Sequence, residues 1–278
     1  MNNLTIQLAD VIQEFSKEQI GGKVWRLSAA LAKGMSVPNG IVIPHWVIEN
    51  VAITDRRIFL KDILEMLNEI NCYAVRSSST FEDNPIASGA GIFKSILAVK
   101  GKDQIVEAVL ECWNELCSPL VLRYTERLGA SNLMLHIFIQ EMVMPKRSGV
   151  AIIGRPEPNQ CMIEGVWGLG AGVVSGEVSP DFVSAQLKDA NIITLRRGNQ
   201  QTVMSASSEG GIYYKSIVKE NEAPVFDQKF VNELSHFLRE LVSFFGSEQE
   251  VEWAEDGQGK IRLLQIRPLT SKTAFKSC

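Results

Sequence analysis

Four polar residues near the end of the chain have the types and spacing to do chemistry. They lie in the runs Glu250-Val251-Glu252-Trp253 and Gln265-Ile266-Arg267-Pro268. Side chains of an extended strand alternate between two faces, so Glu250 and Glu252 share a face, as do Gln265 and Arg267. Asp256-Gly257-Gln258-Gly259 between the runs is hairpin material. With Gly257 and Gln258 at the tip, Glu250 lies opposite Gln265 and Glu252 opposite Leu263. Two carboxylates, an amide and a guanidinium then look to one side, while Val251, Trp253, Leu264 and Ile266 look to the other. Oxygen ligands beside a cation suit a divalent metal carrying a polyphosphate. The same pattern also fits an exposed hairpin face with a loose ion pair.

Three further segments offer complementary chemistry. Gly21-Gly22-Lys23 stands immediately before a helical run. Glycines let backbone approach an anion, first-turn N–H groups point at it, and the lysine adds charge. A plain Gly-Gly turn is the competing reading, and the GxxxxGK[ST] spacing of a Walker loop is absent. Arg76-Ser77-Ser78-Ser79-Thr80 offers a cation and hydroxyls at a strand end, able to hold a transferring phosphoryl group. Alternatively, Arg76 pairs with Glu82 or Asp83 in a polar loop. Trp167-Gly168-Leu169-Gly170-Ala171-Gly172 follows Glu164 and runs on to Pro180-Asp181. It fails GxGxxG at Val173, which argues against a dinucleotide loop but leaves a glycine connector beside a nucleotide open. No GxSxG elbow supports a serine hydrolase.

The elements that must position these groups follow from periodicity. Residues 24–33 read as an amphipathic helix, with Val24, Leu27, Ala30 and Leu31 on one face and Gly34 after its end. Ile41-Val42-Ile43 is a short buried strand stopped by Pro44, and a helical segment covers about 55–70. Cys72–Val75 is a strand delivering the Arg-Ser-Ser-Ser run to its end. A polar loop over 81–91 precedes a strand at 95–99. Helix covers 103–128 with a break at Pro119. Strand-like runs follow at 133–143, 149–153, 160–166 and 181–187, then an amphipathic helix over 227–245 and the closing hairpin. Strands and helices without a regular βαβ alternation predict an α+β chain.

Composition bounds the function. The 278 residues are 45% hydrophobic and 22% charged, an ordinary soluble globular mix with room for two subdomains. A net charge of −4 with scattered Lys and Arg gives no footprint for nucleic acid. No apolar run approaches a membrane span, and Met1-Asn2-Asn3-Leu4 does not open a signal peptide. Cys72, Cys112, Cys117, Cys161 and Cys278 form an odd, scattered set without CxxC, as expected of reduced thiols in a cytoplasmic protein. His45, His136 and His236 are isolated in sequence and build no zinc site or Cys/His pair.

Taken in order, these pieces resemble the nucleotide-binding domain of the phosphoenolpyruvate synthase, pyruvate phosphate dikinase and rifampicin phosphotransferase family, a variant of the ATP-grasp fold. The matching blocks begin with Gly21-Gly22-Lys23 and Val37-Pro38-Asn39-Gly40. Next come Ala74–Ser79 with Glu82-Asp83, Ala87–Gly91, and Gln140-Glu141-Met142-Val143 with Ser148-Gly149-Val150. Last are Trp167–Gly170 with Pro180-Asp181, and the two hairpin runs. The resemblance covers residues 20 to 270. It implies an α+β, ATP-grasp-like domain over 1–270 with a 271–278 tail, in which subdomains of roughly 1–145 and 146–270 enclose a nucleotide cleft. ATP and Mg²⁺ are the implied cofactors. Lys23 and Arg76 would contact phosphates, Gln140, Glu141 and Val143 would line the adenine pocket, and the 81–91 loop would cover the nucleotide. Glu252 and Gln265 would hold the metal, with Glu250 nearby and Arg267 on the phosphates. Lys23, Arg76 and Arg267 would act in transfer.

Departures from the family pattern sharpen the expectation. Glu250 stands where the family usually has Asp, Ala171 stands where Glu is common, and Ala151–Pro156 replaces a Phe-Thr-rich strand end. The stretch between residues 50 and 72 is short. None of the three histidines lies in the family's histidine motif, and the chain stops ten residues after Pro268. The resemblance therefore implies an ATP- and Mg²⁺-dependent phosphotransferase module whose acceptor is a phosphohistidine domain on a partner chain or a small molecule. A non-catalytic nucleotide-binding regulatory or assembly subunit is the alternative from another class, and an ATP-grasp carboxylate–amine ligase is a third.

Overall fold

The structure, a computed structural model, describes residues 4–79, 94–115, 118–128, 134–175, 178–217, 223–246 and 248–269. The expected loop over 81–91, Cys117, Cys278 and the 271–278 tail lie outside the described residues. In chain order the elements are β1 (Ile6–Gln7), α1 (Val11–Glu14), α2 (Lys17–Ile20), α3 (Gly22–Ala32), β2 (Gly40–Ile43), α4 (His45–Glu49), α5 (Arg56–Ile63), β3 (Cys72–Ser79), β4 (Ser95–Lys100), α6 (Lys102–Asn114), α7 (Pro119–Leu128) and β5 (Leu135–Glu141). The chain continues through β6 (Pro145–Ile153), β7 (Gln160–Trp167), α8 (Ala171–Ser175), β8 (Asp181–Gln186), β9 (Ile192–Arg196), β10 (Thr202–Ala206), β11 (Ile212–Ser216), α9 (Gln228–Phe245), β12 (Gln249–Asp256) and β13 (Ile261–Pro268). The described residues form an α+β fold.

Two compact units are interleaved along the chain. The first comprises Met1–Lys33, Pro38–Met142 and Ser207–Ile212, and the second Gly34–Val37, Val143–Ala206 and Tyr213–Cys278. The first unit is built on an antiparallel sheet of order β1-β2-β5-β3-β4. One of its faces carries Ile41, Ile43, Tyr73, Val75, Val99, Ile137 and Ile139 into a core with α4, α5 and α6. Strand alternation sends Ala74, Arg76 and Ser78 to the other face, towards the start of α3. The second unit is built on an antiparallel sheet of order β13-β12-β6-β7-β8-β9, beside the pair β10-β11.

Helix α9 forms because its sequence supplies both ends and one apolar face. The Asp227 side chain accepts from Phe230 N at 2.8 Å, Gly246 at φ 83° ends the helix, and Phe230, Leu234, Leu238 and Leu241 are fully buried. Phe230 lies 5.4 Å from the buried Trp253 ring, centroid to centroid, which ties α9 to the Val251/Trp253 face of β12. Among the described residues no helix is long and apolar enough to cross a membrane. Cys72, Cys112 and Cys161 are free and buried, and burial pushes the Cys112 and Cys161 thiols up to about 12.

Three sequence expectations need correction. The strand expected over Cys72–Val75 continues through the Arg76-Ser77-Ser78-Ser79 run, which forms the last four residues of β3. Its serines are at most 1% exposed, with Ser77 Oγ donating to Lys94 O and Ser78 Oγ to Ile20 O. Pairing with β5 through Ser79↔Leu135 extends the strand past the apolar run that marked it. The hairpin register also differs. Asp256 N donates to Lys260 O, the Asp256 carboxylate accepts from Gln258 N and Lys260 N, and Gly259 takes φ 82°. The loop is therefore three residues, Gly257 to Gly259, and a bulge follows beyond Glu252. Glu250 pairs with Arg267 and Glu252 with Gln265, and the leucine on the buried face is Leu263, paired with Trp253, where the alternation pointed to Leu264. The helical segment expected over 55–70 is the shorter α5.

His136, on β5, is fully buried and its Nδ1 accepts from His45 N at 3.2 Å. Burial first, and the neighbouring His45 second, push its pKa down to about 3. An unfolded histidine titrates near about 6.5. Between those values the unfolded chain binds a proton that the folded chain refuses, so stability present above the unfolded pKa is lost as pH falls. Replacing His136 with Asn is expected to reduce the slope of unfolding free energy against pH in that window by about 1.4 kcal/mol per pH unit. Urea unfolding at pH steps through the window measures it, and parallel profiles for the two proteins would contradict the assignment.

Candidate functional site

In the first unit, the cations are placed by the packing of α3 on β3. Gly21 has φ 85°, and a Cβ there would come within 2.7 Å of Ser78 Oγ and 2.8 Å of Ser79 O. Only glycine combines that backbone with that approach. The next turn carries Lys23, which is 5% exposed and donates from Nζ to Ser77 O at 2.8 Å. Arg76 pairs in register with Phe138 of β5, and Ala74 with Gln140. Directly opposed residues share a face, so Arg76, Ser78 and Gln140 look to the same side of the sheet. Lys23 bonds the backbone of the residue after Arg76, which brings the two sequence-predicted cations to one strand.

Gln140 is 2% exposed, and among the described residues its Nε2 finds no hydrogen-bond partner. A buried amide donor left without an acceptor is costly, and such groups mark positions where a ligand acceptor is accommodated. Beyond it, Glu141 N donates to Asn39 O at 2.8 Å, Glu141 Oε1 accepts from Asn71 Nδ2 at 3.4 Å, and Met142 N donates to Cys72 O at 2.9 Å. Gln140 to Met142 belong to the first unit, and Val143 begins the next stretch of the second.

In the second unit, the four hairpin residues do share one face, as the sequence suggests. Glu250 opposes Arg267 and the two form an ion pair, with side chains 12% and 19% exposed. Burial holds the Glu250 carboxyl above the ordinary carboxylate range; Arg267 pulls it the other way and Glu252 adds a smaller push upward. Glu252 opposes Gln265, which is 7% exposed. Val251, Trp253, Leu263 and Ile266 fill the core beneath them without exposure. Among the described residues no group of three His, Cys, Asp or Glu side chains is placed to hold a metal ion. A carboxylate and an amide oxygen side by side instead fit magnesium, which takes one or two protein oxygens and completes its shell with phosphate and water.

Other sequence-marked residues serve the frame. Asp181 accepts from Gly198 N at 2.9 Å and Val225 N at 3.0 Å, so it clamps two loops. Trp167 donates from Nε1 to Ala223 O at 3.1 Å. Gly168, at φ 78°, would place a Cβ 2.3 Å from Met204 O. Sequence reasoning passed over Glu164, which is 5% exposed on β7. The available signal was a carboxylate inside an otherwise apolar strand.

Comparison with known proteins gives the following. Residues 57–277 match the family described as pyruvate phosphate dikinase, AMP/ATP-binding domain. The chain is 32% identical over 202 residues to a probable phosphoenolpyruvate synthase from Archaeoglobus fulgidus, covering 71% of this chain and 27% of that protein. It is 31% identical over 209 residues to a rifampicin phosphotransferase from a Streptomyces species, covering 73% of this chain and 24% of that protein. The chain thus spans about a quarter of the length of these curated relatives. Among solved structures it is similar to VanG D-Ala:D-Ser ligase from Enterococcus faecalis, with a TM-score of 0.44 and 11% identity over 93% of this chain and 56% of that one. At that score the likeness adds nothing to the assignment.

Proposed function

Because the chain belongs to the pyruvate phosphate dikinase AMP/ATP-binding domain family, we propose that it is an ATP- and Mg²⁺-dependent phosphotransferase module of an ATP-grasp type. The observation that carries this reading is the hairpin face, where Glu252 opposes Gln265 and the Glu250–Arg267 ion pair lies alongside. In this reading Glu252 and Gln265 hold Mg²⁺, with Glu250 tethering Arg267 so that its guanidinium meets the polyphosphate. Bound there, the ion offsets charge on the phosphoryl oxygens. Lys23, on α3, and Arg76, on β3, contribute positive charge that stabilises charge developing in transfer. Gln140 Nε2 supplies a donor for the nucleobase, with Glu141 and Val143 along the same segment.

The acceptor in this reading is a histidine-bearing domain on a partner chain or a small molecule. Both fit relatives about three times as long as this chain. The deciding experiment incubates the protein with ATP and Mg²⁺, with and without a histidine-bearing domain of a full-length relative, and resolves AMP, ADP and phosphate. AMP plus phosphate, with phosphohistidine on the added domain, is the expected result. No turnover under any of these conditions would overturn the enzymatic reading and favour a binding subunit.

A further inference from the structure

Gln140 stands in a row of small residues in the first unit. On β5 it is paired with Gly40 of β2 on one side and with Ala74 of β3 on the other. Directly opposed residues share a face, so its amide has bare backbone on one flank and a single methyl group on the other. Ile137 and Ile139 take the alternate positions into the core with α4, α5 and α6, which leaves Gln140 on the face that carries Arg76 and Ser78. The row is held small by its surroundings: a Cβ on Gly40 would come within 2.7 Å of the Phe138 ring and of Ile139 O. Neither flanking residue offers the amide a side-chain partner, and among the described residues Nε2 is buried without an acceptor. Packing alone does not call for an amide here, and burying one is costly.

The adjoining main chain does not supply the missing chemistry. Glu141 N already donates to Asn39 O and Met142 N to Cys72 O, so neither is available to a ring nitrogen. A primary amide carries a donor and an acceptor side by side. Adenine offers the matching pair on one edge, the N7 acceptor next to the N6 amino donor, whereas guanine offers two acceptors there, N7 and O6. Arg76 stands two residues beyond Ala74, about 7 Å along β3 on the same face, which gives that face an uncharged end and a cationic end. We infer that Gln140 is the residue that selects the base: Nε2 donates to adenine N7, Oε1 accepts from the N6 amino group, and guanine is disfavoured because its O6 would face Oε1. This inference rests on the nucleotide-binding reading proposed above.

The test is calorimetric affinity for ATP, 7-deaza-ATP, 1-deaza-ATP and GTP with Mg²⁺ present, first on the parent protein and then on Gln140→Met. The parent is expected to bind ATP about 5- to 150-fold more tightly than 7-deaza-ATP or GTP, and 1-deaza-ATP as well as ATP. Gln140→Met, close in volume but without the amide, should bind ATP and 7-deaza-ATP alike. The parent comparison needs no variant, so it holds even if Gln140→Met fails to fold. Equal affinity of the parent for ATP and 7-deaza-ATP overturns the inference and leaves the proposed function standing, as does a preference lost with 1-deaza-ATP instead. Parental discrimination retained by Gln140→Met, with or without a lowered melting temperature, shows a structural role and also overturns the inference. A parent that binds none of the four nucleotides overturns both.

Discussion

Glu252→Ala is expected to lower phosphoryl-transfer turnover by about 100-fold or more, with metal-free nucleotide affinity close to that of the parent. The expectation follows from where Glu252 sits. Its strand partner is Gln265, its strand neighbour Glu250 is occupied by Arg267, and the opposite face beneath is filled by Val251 and Trp253. Removing this carboxylate takes away the charged member of the oxygen pair, and no neighbour on the hairpin replaces it. Metal-bound charge counts most while negative charge is redistributed among phosphoryl oxygens, so the loss falls on turnover more than on ground-state binding. Product analysis with saturating Mg²⁺, beside binding in EDTA, separates the two effects. A variant that keeps parental turnover would remove Glu252 from the machinery. Reduced affinity of the variant, in a protein whose parent form turns over no nucleotide, would instead favour the regulatory reading that Ala171 and the altered strand over 151–156 motivate.

Gly149→Ala is expected to be the most damaging single-methyl change in the second unit. The added Cβ would stand 1.9 Å from Glu164 O and 2.8 Å from Gly165 Cα. Both are backbone atoms, so no side chain can rotate away; β6 and β7 must separate or shift register. Gly149 is also paired with Trp253, whose ring is fully buried under α9, so movement of β6 disturbs the packed core. Overpacking against backbone on this scale costs about 3 kcal/mol or more, which lowers the melting temperature by on the order of 10 °C. Gly257→Ala is the control, since a Cβ there meets nothing within 4 Å. Thermal unfolding of the two variants against the parent checks the contrast, and a Gly149→Ala protein within 1 °C of the control would contradict it.

The hairpin shows what could be read from sequence. Alternation alone put Glu250, Glu252, Gln265 and Arg267 on one face, because a two-residue period survives an even shift of register. The register itself was not readable, because Gly259 rather than Gly257 adopts the left-handed conformation and a bulge intervenes. Likewise the Arg-Ser-Ser-Ser run reads as a polar strand end, but its hydroxyls are satisfied by Lys94 O and Ile20 O, carbonyls far away in sequence. Strands β9, β10 and β11 went unread since β9 and β11 are largely exposed, β10 buries only Met204, and none has the apolar alternation that marks a half-buried strand. Lys23 stood out through its glycines.

The exchange of short segments between the two compact units bears on modularity. Ser207–Ile212 counts with the first unit, where Gly211 N donates to Ala98 O at 2.7 Å and Lys100 Nζ to Ser208 O at 2.5 Å. Gly34–Val37 counts with the second, where Ser36 accepts from Leu263 N at 2.8 Å and from Arg262 at 3.1 Å. Severing the chain between Met142 and Val143 therefore deprives each half of a piece it uses. Neither half is a portable building block, and fragments expressed separately would need each other to complete their folds. Shuffling of this domain between larger proteins must then move the whole stretch as one inheritance unit.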